Sequence, residues 1–209
     1  MTFLKQLFLI LINQAKERLG KNSAFDKLSD EELVSKIVAK NDTLLFGVLY
    51  DRYVPMVYNK CYGFARSQDE AEDLTQDVFL MLFIKLASFK GKSKFSTWLY
   101  SFTYNFCVNY VNRNKQRKMS DKSVPVEETE YRLTEEEVPD DAIFEMKANK
   151  LDKALNEISA EDKSILLLKY QDGASIKELS ELLEIGESAV KMRLKRAKAK
   201  LVETYKSLG

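Results

Sequence analysis

Histidine is missing altogether from this 209-residue chain, and cysteine occurs only as Cys61 and Cys107. A zinc site of the usual Cys/His kinds and any catalytic centre built on an imidazole are thereby excluded. Glycine (7) and proline (3) are scarce, no Gly-rich phosphate loop occurs, and the turns that a sheet protein needs are undersupplied. With 31% charged residues and abundant Leu, Lys, Glu and Ala, the composition predicts an all-α fold. The many Asp and Glu pair with no nucleophile and no metal set. The chain is therefore read as a non-enzyme with no cofactor, no metal and no small-molecule substrate.

A long hydrophobic run is also lacking. The apolar stretch Leu7 to Ile12 is too short to span a bilayer, only Lys5 precedes it, and no small-residue cleavage pattern follows. Residues 1–27 are read as an amphipathic N-terminal extension that packs on the protein or frays. Two cysteines without an export signal are expected to be buried, reduced thiols, which points to the cytoplasm. The net charge is only +1, so any affinity for nucleic acid must come from local patches.

One such patch is defined by another absence, since no Asp or Glu occurs from Val78 to Ser120. The same stretch holds eight Lys/Arg (Lys85, Lys90, Lys92, Lys94, Arg113, Lys115, Arg117, Lys118) and ten aromatic residues. Cations for phosphates and rings for bases are what single-stranded nucleic acid requires. Most of the rings are nevertheless expected in the core, because Phe79, Phe83, Trp98, Phe102, Phe106 and Tyr110 fall at helical spacings.

The pattern then inverts: from Lys122 to Glu145 nine acids accompany only two bases, with Pro125 and Pro139 interrupting. Such a stretch buries too little apolar surface to offset its ordering entropy, so 119–145 is predicted to be a flexible acidic linker between two domains, 28–118 and 146–209. Helix starts are marked by Ser-x-x-Glu capping boxes at Ser29, Ser67 and Ser175. Helices are predicted near 30–40, 43–65, 68–88 and 95–116, then 146–157, 160–171, 175–183 and 187–205. A basic loop centred on Gly91 joins the third to the fourth, and Gly173 suits a left-handed helix end.

From Ser175 to Leu201 the apolar positions describe two helices around a tight turn at Glu184, Ile185 and Gly186, which is helix-turn-helix spacing. Val190, Leu194, Ala197 and Leu201 form a stripe to be buried. Lys191, Arg193, Lys195, Arg196, Lys198 and Lys200 crowd the other faces, and no acid interrupts Ser188 to Val202. Such a helix fits the major groove, with its first turns at base edges and its later cations at phosphates. If all six cations neutralise phosphates, affinity falls by about three decades between 50 and 200 mM salt.

These residues together resemble the sigma-70 family of bacterial transcription initiation factors, in particular the small extracytoplasmic-function (ECF) group that keeps two domains. Asp69-Glu-Ala-Glu-Asp-Leu-Thr-Gln-Asp-Val-Phe is similar to the family's polymerase-binding helix. Phe95-Ser-Thr-Trp-Leu-Tyr followed by Asn105 is similar to its melting and promoter-reading helix, and Ser175 to Leu183 with Ala189 to Ala197 to its upstream-promoter reader. The resemblance implies that Asp73, Gln76 and Asp77 face core RNA polymerase. It implies that Lys92, Ser93, Lys94 and Phe95 rim a site for a base flipped from the minus-10 element, that Asn105 and Asn109 line it, and that Arg113 and Arg117 hold nearby phosphates. It implies that Ser188, Lys191, Met192, Arg193, Lys195 and Arg196 read minus-35 promoter DNA. By family analogy an anti-sigma factor is a further partner. Lys92 departs from the acid that many relatives carry after the loop glycine, and Met192 and Lys195 depart from the family's usual reader residues, so neither promoter sequence follows. The rival reading is a stand-alone helix-turn-helix regulator that binds duplex operators without polymerase.

Overall fold

A computed structural model describes residues 24–120 and 138–208, so most of the predicted N-terminal extension and residues 121–137 of the predicted linker lie outside the described residues. The chain divides into two compact units, 1–103 and 104–209, and the division falls inside a helix rather than in the acidic stretch. Among the described residues there is no strand.

In the first unit a 3-10 turn, Ala24–Lys27, leads to α1 (Asp30–Lys40), α2 (Thr43–Tyr62) and α3 (Gln68–Lys85). The start of α4 (Phe95–Ser120) completes it. Each start has a local cause. Ser29 and Glu32 form a reciprocal capping box (3.2 and 2.9 Å), and Asp42 accepts from Leu44 N at 2.9 Å and Leu45 N at 3.1 Å. Ser67 Oγ accepts from Glu70 N at 3.2 Å. α1 stops because Asn41 turns left-handed (φ 49°), a conformation Asn tolerates better than most residues. Pro55 lies inside α2, which continues through it. Leu33, Ile37, Leu49, Phe46, Phe79, Leu82, Phe95 and Leu99 are fully buried, and Phe46 meets Phe83 edge to face at 5.0 Å. Across this core Asp30 accepts from Arg52 Nη1 and from the Tyr53 hydroxyl, and Arg52 Nη1 also donates to Leu28 O at 3.2 Å. Burial first, and the bond to Asp30 second, push the Tyr53 hydroxyl well above its ordinary pKa, so it stays a donor at all working pH. Cys61 and Cys107 are both buried, as the sequence predicts.

The second unit contains α5 (Asp141–Phe144), α6 (Ala148–Glu157), α7 (Ala160–Leu166), α8 (Ile176–Leu183) and α9 (Glu187–Ser207). It also contains α4 from Tyr104 onward, where Asn112 Nδ2 donates to Glu161 Oε1 at 2.6 Å. α7 runs into a π turn, Leu167–Gln171, where the sequence predicts unbroken helix, and the Asp172 N–H reaches Leu167 O at 3.0 Å. Gly173 (φ 72°) then ends the element as expected. Residues 138–145, assigned to the flexible linker from their charge, are instead anchored. Ile143 is buried, Asp140 accepts from Tyr170 (2.7 Å) and from Lys198 Nζ (2.8 Å), and Lys198 Nζ also reaches Val138 O at 2.7 Å.

Two outcomes follow. Glu184 ends α8 in the left-handed region (φ 54°), where a side chain costs about 1 kcal/mol. Glu184→Gly is expected to raise stability by about 0.5–1 kcal/mol, read as a Tm increase in thermal unfolding. The bonds from Lys198, then Tyr170, hold the Asp140 carboxyl below its ordinary range, so its contribution is present above about pH 4 and fades as pH falls below that value. Asp140→Asn should lower Tm at neutral pH and lose that effect in acid. With the Asp140 side chain 52% exposed, the loss stays under about 1 kcal/mol.

Candidate nucleic-acid interface

α8 and α9 form the helix-turn-helix. The Ser175–Glu178 capping box starts α8, with bonds of 3.2 and 2.9 Å. Glu184 makes the turn, and Gly186 (φ −62°) precedes α9. Leu179, Val190 and Ala197 are fully buried, and Leu194 and Leu201 nearly so. That stripe fixes the rotation of α9 and so decides which side chains face outward. Ser188, Lys191, Met192, Arg193 and Arg196 are exposed, Met192 to 44%, and Lys195 is half-buried. The predicted reader residues therefore lie off the buried stripe, on the first three turns.

Two of the six cations do not belong to this set. Lys198 is buried, at 8% exposure, because it stands four residues after Leu194 and three before Leu201, on the stripe itself. Its ammonium is held by Asp140 and Val138 O. Lys200 pairs with Asp162 at 2.9 Å. Lys191, Arg193, Lys195 and Arg196 are the cations of this helix that lie off the buried stripe and outside these two ion pairs. Asp140, which holds Lys198 and accepts a second bond from Tyr170, escaped the sequence reading. The position of a lysine inside an apolar stripe was the available signal for a buried partner.

The basic loop lies in the first unit. A 3-10 turn, Leu86–Ser88, ends α3, and Phe89 pins the loop by packing on Phe95 (5.3 Å) and Trp98 (5.4 Å). Gly91 takes φ 68°, which favours glycine. Lys90, Lys92 and Lys94 are exposed and Ser93 is half-buried. Phe95 departs from its expected place on the rim. It is fully buried against Tyr53 (5.5 Å) and Trp98 (5.9 Å), because the first apolar residue of α4 is drawn into the core. Trp98, expected in the core, is half-buried and stacks on Phe102 at 5.6 Å. Within the second unit, Asn105, Asn109, Arg113 and Arg117 recur at every fourth position of α4 and are all exposed, and Arg113 Nε donates to Asn109 O at 3.3 Å. They form one row of amides and guanidinium groups along the helix.

On α3, Asp73 is exposed while Gln76 and Asp77 are half-buried, opposite Leu74, Val78 and Phe79 in the core. Gln76 Oε1 is buried and accepts no hydrogen bond among the described residues, which costs about 1–3 kcal/mol until a donor reaches it. Among the described residues no cluster of His, Cys, Asp and Glu is arranged to hold a metal, and no helix is long and apolar enough to cross a membrane.

A helix-turn-helix with a cationic reading face in one unit, and an aromatic-anchored basic loop in the other, define a DNA-binding class of protein. Residues 49–117 match the family model Sigma-70 region 2, and residues 148–201 match Sigma-70, region 4. The chain is 29% identical over 178 residues to the ECF RNA polymerase sigma factor SigW of Bacillus subtilis (strain 168), covering 83% of this chain and 95% of that relative. It is 27% identical to the ECF RNA polymerase sigma-E factor of Escherichia coli (strain K12), covering 83% and 92%. The chain belongs to the sigma-70 family, in its ECF group. In fold it is similar to the sigma factor RpoE solved in complex with the anti-sigma factor NepR from Bartonella quintana (TM-score 0.52, 23% identity, 75% of this chain and 94% of that one). It is likewise similar to CnrH solved with the cytosolic domain of CnrY (TM-score 0.55, 18% identity, 85% and 97%).

With four cations on the reading face, duplex binding should weaken by about two decades between 50 and 200 mM salt, not three. Lys195→Gln should reduce the slope of log K against log salt by about one. Lys198→Gln should leave that slope unchanged and lower Tm instead.

Proposed function

We propose that the chain binds core RNA polymerase and directs initiation at particular promoters, with α9 reading minus-35 duplex DNA and the loop Phe89–Lys94 with the α4 row capturing unpaired minus-10 DNA. The observation that carries this reading is the sorting of α9: its stripe buries Val190, Leu194, Ala197 and Leu201 and leaves Lys191, Arg193, Lys195 and Arg196 at the surface. Ser188, Lys191 and Met192 sit where an entering helix meets base edges, and the later cations sit where it meets phosphates. At the loop, Lys92, Ser93 and Lys94 supply charge and hydrogen bonds around a backbone that Phe89 and Gly91 hold in shape. Asn105 and Asn109 offer donors and acceptors to splayed bases, and Arg113 and Arg117 neutralise the strand. Phe95 supports the loop from the core and makes no base contact. Interactions with exposed bases then replace the stacking lost on melting.

Asp73, Gln76 and Asp77 form the polymerase-facing surface, an acidic and hydrogen-bonding face suited to a basic partner. The protein makes and breaks no bond, since nucleotide chemistry belongs to the polymerase. It acts in the cytoplasm, and an anti-sigma factor is its third partner, as NepR is for RpoE. The domain limits proposed from function, 28–118 and 146–209, put α4 up to residue 118 with the minus-10 reader.

Purified core polymerase supplied with this chain should initiate at promoters that core alone ignores. Failure to do so, together with specific binding of the free chain to a two-fold duplex operator, would favour the stand-alone regulator. Replacing Lys191, Lys195 and Arg196 together by Ala should lower initiation at minus-35-dependent promoters at least about tenfold while sparing core binding. Gln76→Leu removes a buried unpaired acceptor, so Tm should rise by a few degrees, about 1 kcal/mol, while affinity for core polymerase falls.

A further inference from the structure

The first turn of α1 carries three consecutive acids, and each has a different partner. Glu32 closes its own helix's capping box on Ser29 N at 2.9 Å, and Asp30 ties α1 to Arg52 and Tyr53 of α2. Glu31 reaches a third helix, where its Oε1 accepts from Phe95 N at 3.4 Å, across 64 positions of sequence. Phe95 is the first residue of α4. The residue before it, Lys94, whose carbonyl accepts from Trp98 N at 3.1 Å, has a side chain that only donates. Lys94 is therefore unable to cap the amides that open the helix, and a carboxylate from α1 supplies the acceptor and the negative charge that a helix start favours. α1 lies wholly before residue 49, where the Sigma-70 region 2 match begins.

We propose that Glu31 is a positioning residue for capture of the unpaired strand: its carboxylate caps the start of α4 and so sets the geometry of the loop Phe89–Lys94 that runs into it. The proposal rests on the reading of that loop given above. Phe89 and Phe95 carry the effect into the loop, since Phe95 fixes the helix start and Phe89 rests on its ring at 5.3 Å.

The test uses holoenzyme assembled from core polymerase and the full chain. The probe is a fluorescent non-template-strand oligonucleotide spanning the minus-10 segment of a promoter located by its transcript start. Glu31→Ala should bind the probe about fivefold more weakly, the factor that loss of a typical helix cap corresponds to, with unchanged affinity for core. Glu31→Gln keeps an acceptor oxygen and should stay close to the parent chain. Equal or tighter binding by Glu31→Ala would overturn the proposal, as would an equal loss in Glu31→Gln or a parallel loss of core affinity. A second measurement needs neither DNA nor polymerase. Trp98, the single tryptophan of the chain, packs on Phe89 at 5.4 Å, so its emission in the free protein reports the loop. Emission that differs in Glu31→Ala but not in Glu31→Gln is the expected result, and identical emission in all three proteins would overturn the contact. Should the parent holoenzyme fail to hold the probe at all, the strand-capture role falls with the reading of the loop, and the Trp98 comparison still decides whether Glu31 shapes it.

Discussion

Burial of one narrow apolar stripe on α9 is the constraint on which the second unit depends. Val190, Leu194, Ala197 and Leu201 recur every three or four residues, and removing the Val and Leu side chains from water contributes roughly 1.5–3 kcal/mol each. No other choice of buried face hides as much apolar area. Once that face is inward, the cations have no freedom of placement. Those away from the stripe are displayed as a set, and Lys198, caught on it, must find a carboxylate. The recognition surface is thus a by-product of packing: charge is exposed where the core has no use for the position.

The same cation links the acidic stretch to the helix-turn-helix. Lys198 brings its charge inside, and Asp140 and the carbonyl of Val138 are its partners, with the Tyr170 hydroxyl donating to the same carboxylate. A buried ammonium without such partners would cost several kcal/mol. The segment that precedes the reader is therefore held by the reader's own core. In the first unit the acids of α1 also reach other helices, Asp30 meeting α2 and Glu31 the start of α4.

Local signals in the chain predicted much of this. Capping boxes at Ser29 and Ser175 form as written, and Gly173 takes the left-handed angle expected of it. The helix limits agree to within a few residues because apolar periodicity and caps act over one or two turns. Ser159 caps α7 as well, accepting from Asp162 N at 3.1 Å. What escaped was long-range. Phe95 looked like a rim residue because it follows a basic loop, yet a ring at the head of a helix is buried if a core lies beneath it. The π turn at Leu167–Gln171 has no propensity signal, since an extra residue in a helix is accommodated only by what packs around it.

The sequence by itself determined the all-helical character, the helix starts, the split between acidic and basic stretches and the family, because each of these resides in composition or in patterns a few residues long. Only the tertiary structure decided which of six cations on α9 are drawn into ion pairs with acids elsewhere, that residues 138–145 are anchored rather than loose, and that Glu31 meets α4. The reason is physical: a side chain's charge is written in the chain, but whether that charge is spent inward or offered outward depends on partners distant in sequence, 58 positions away for Lys198 and 64 for Glu31.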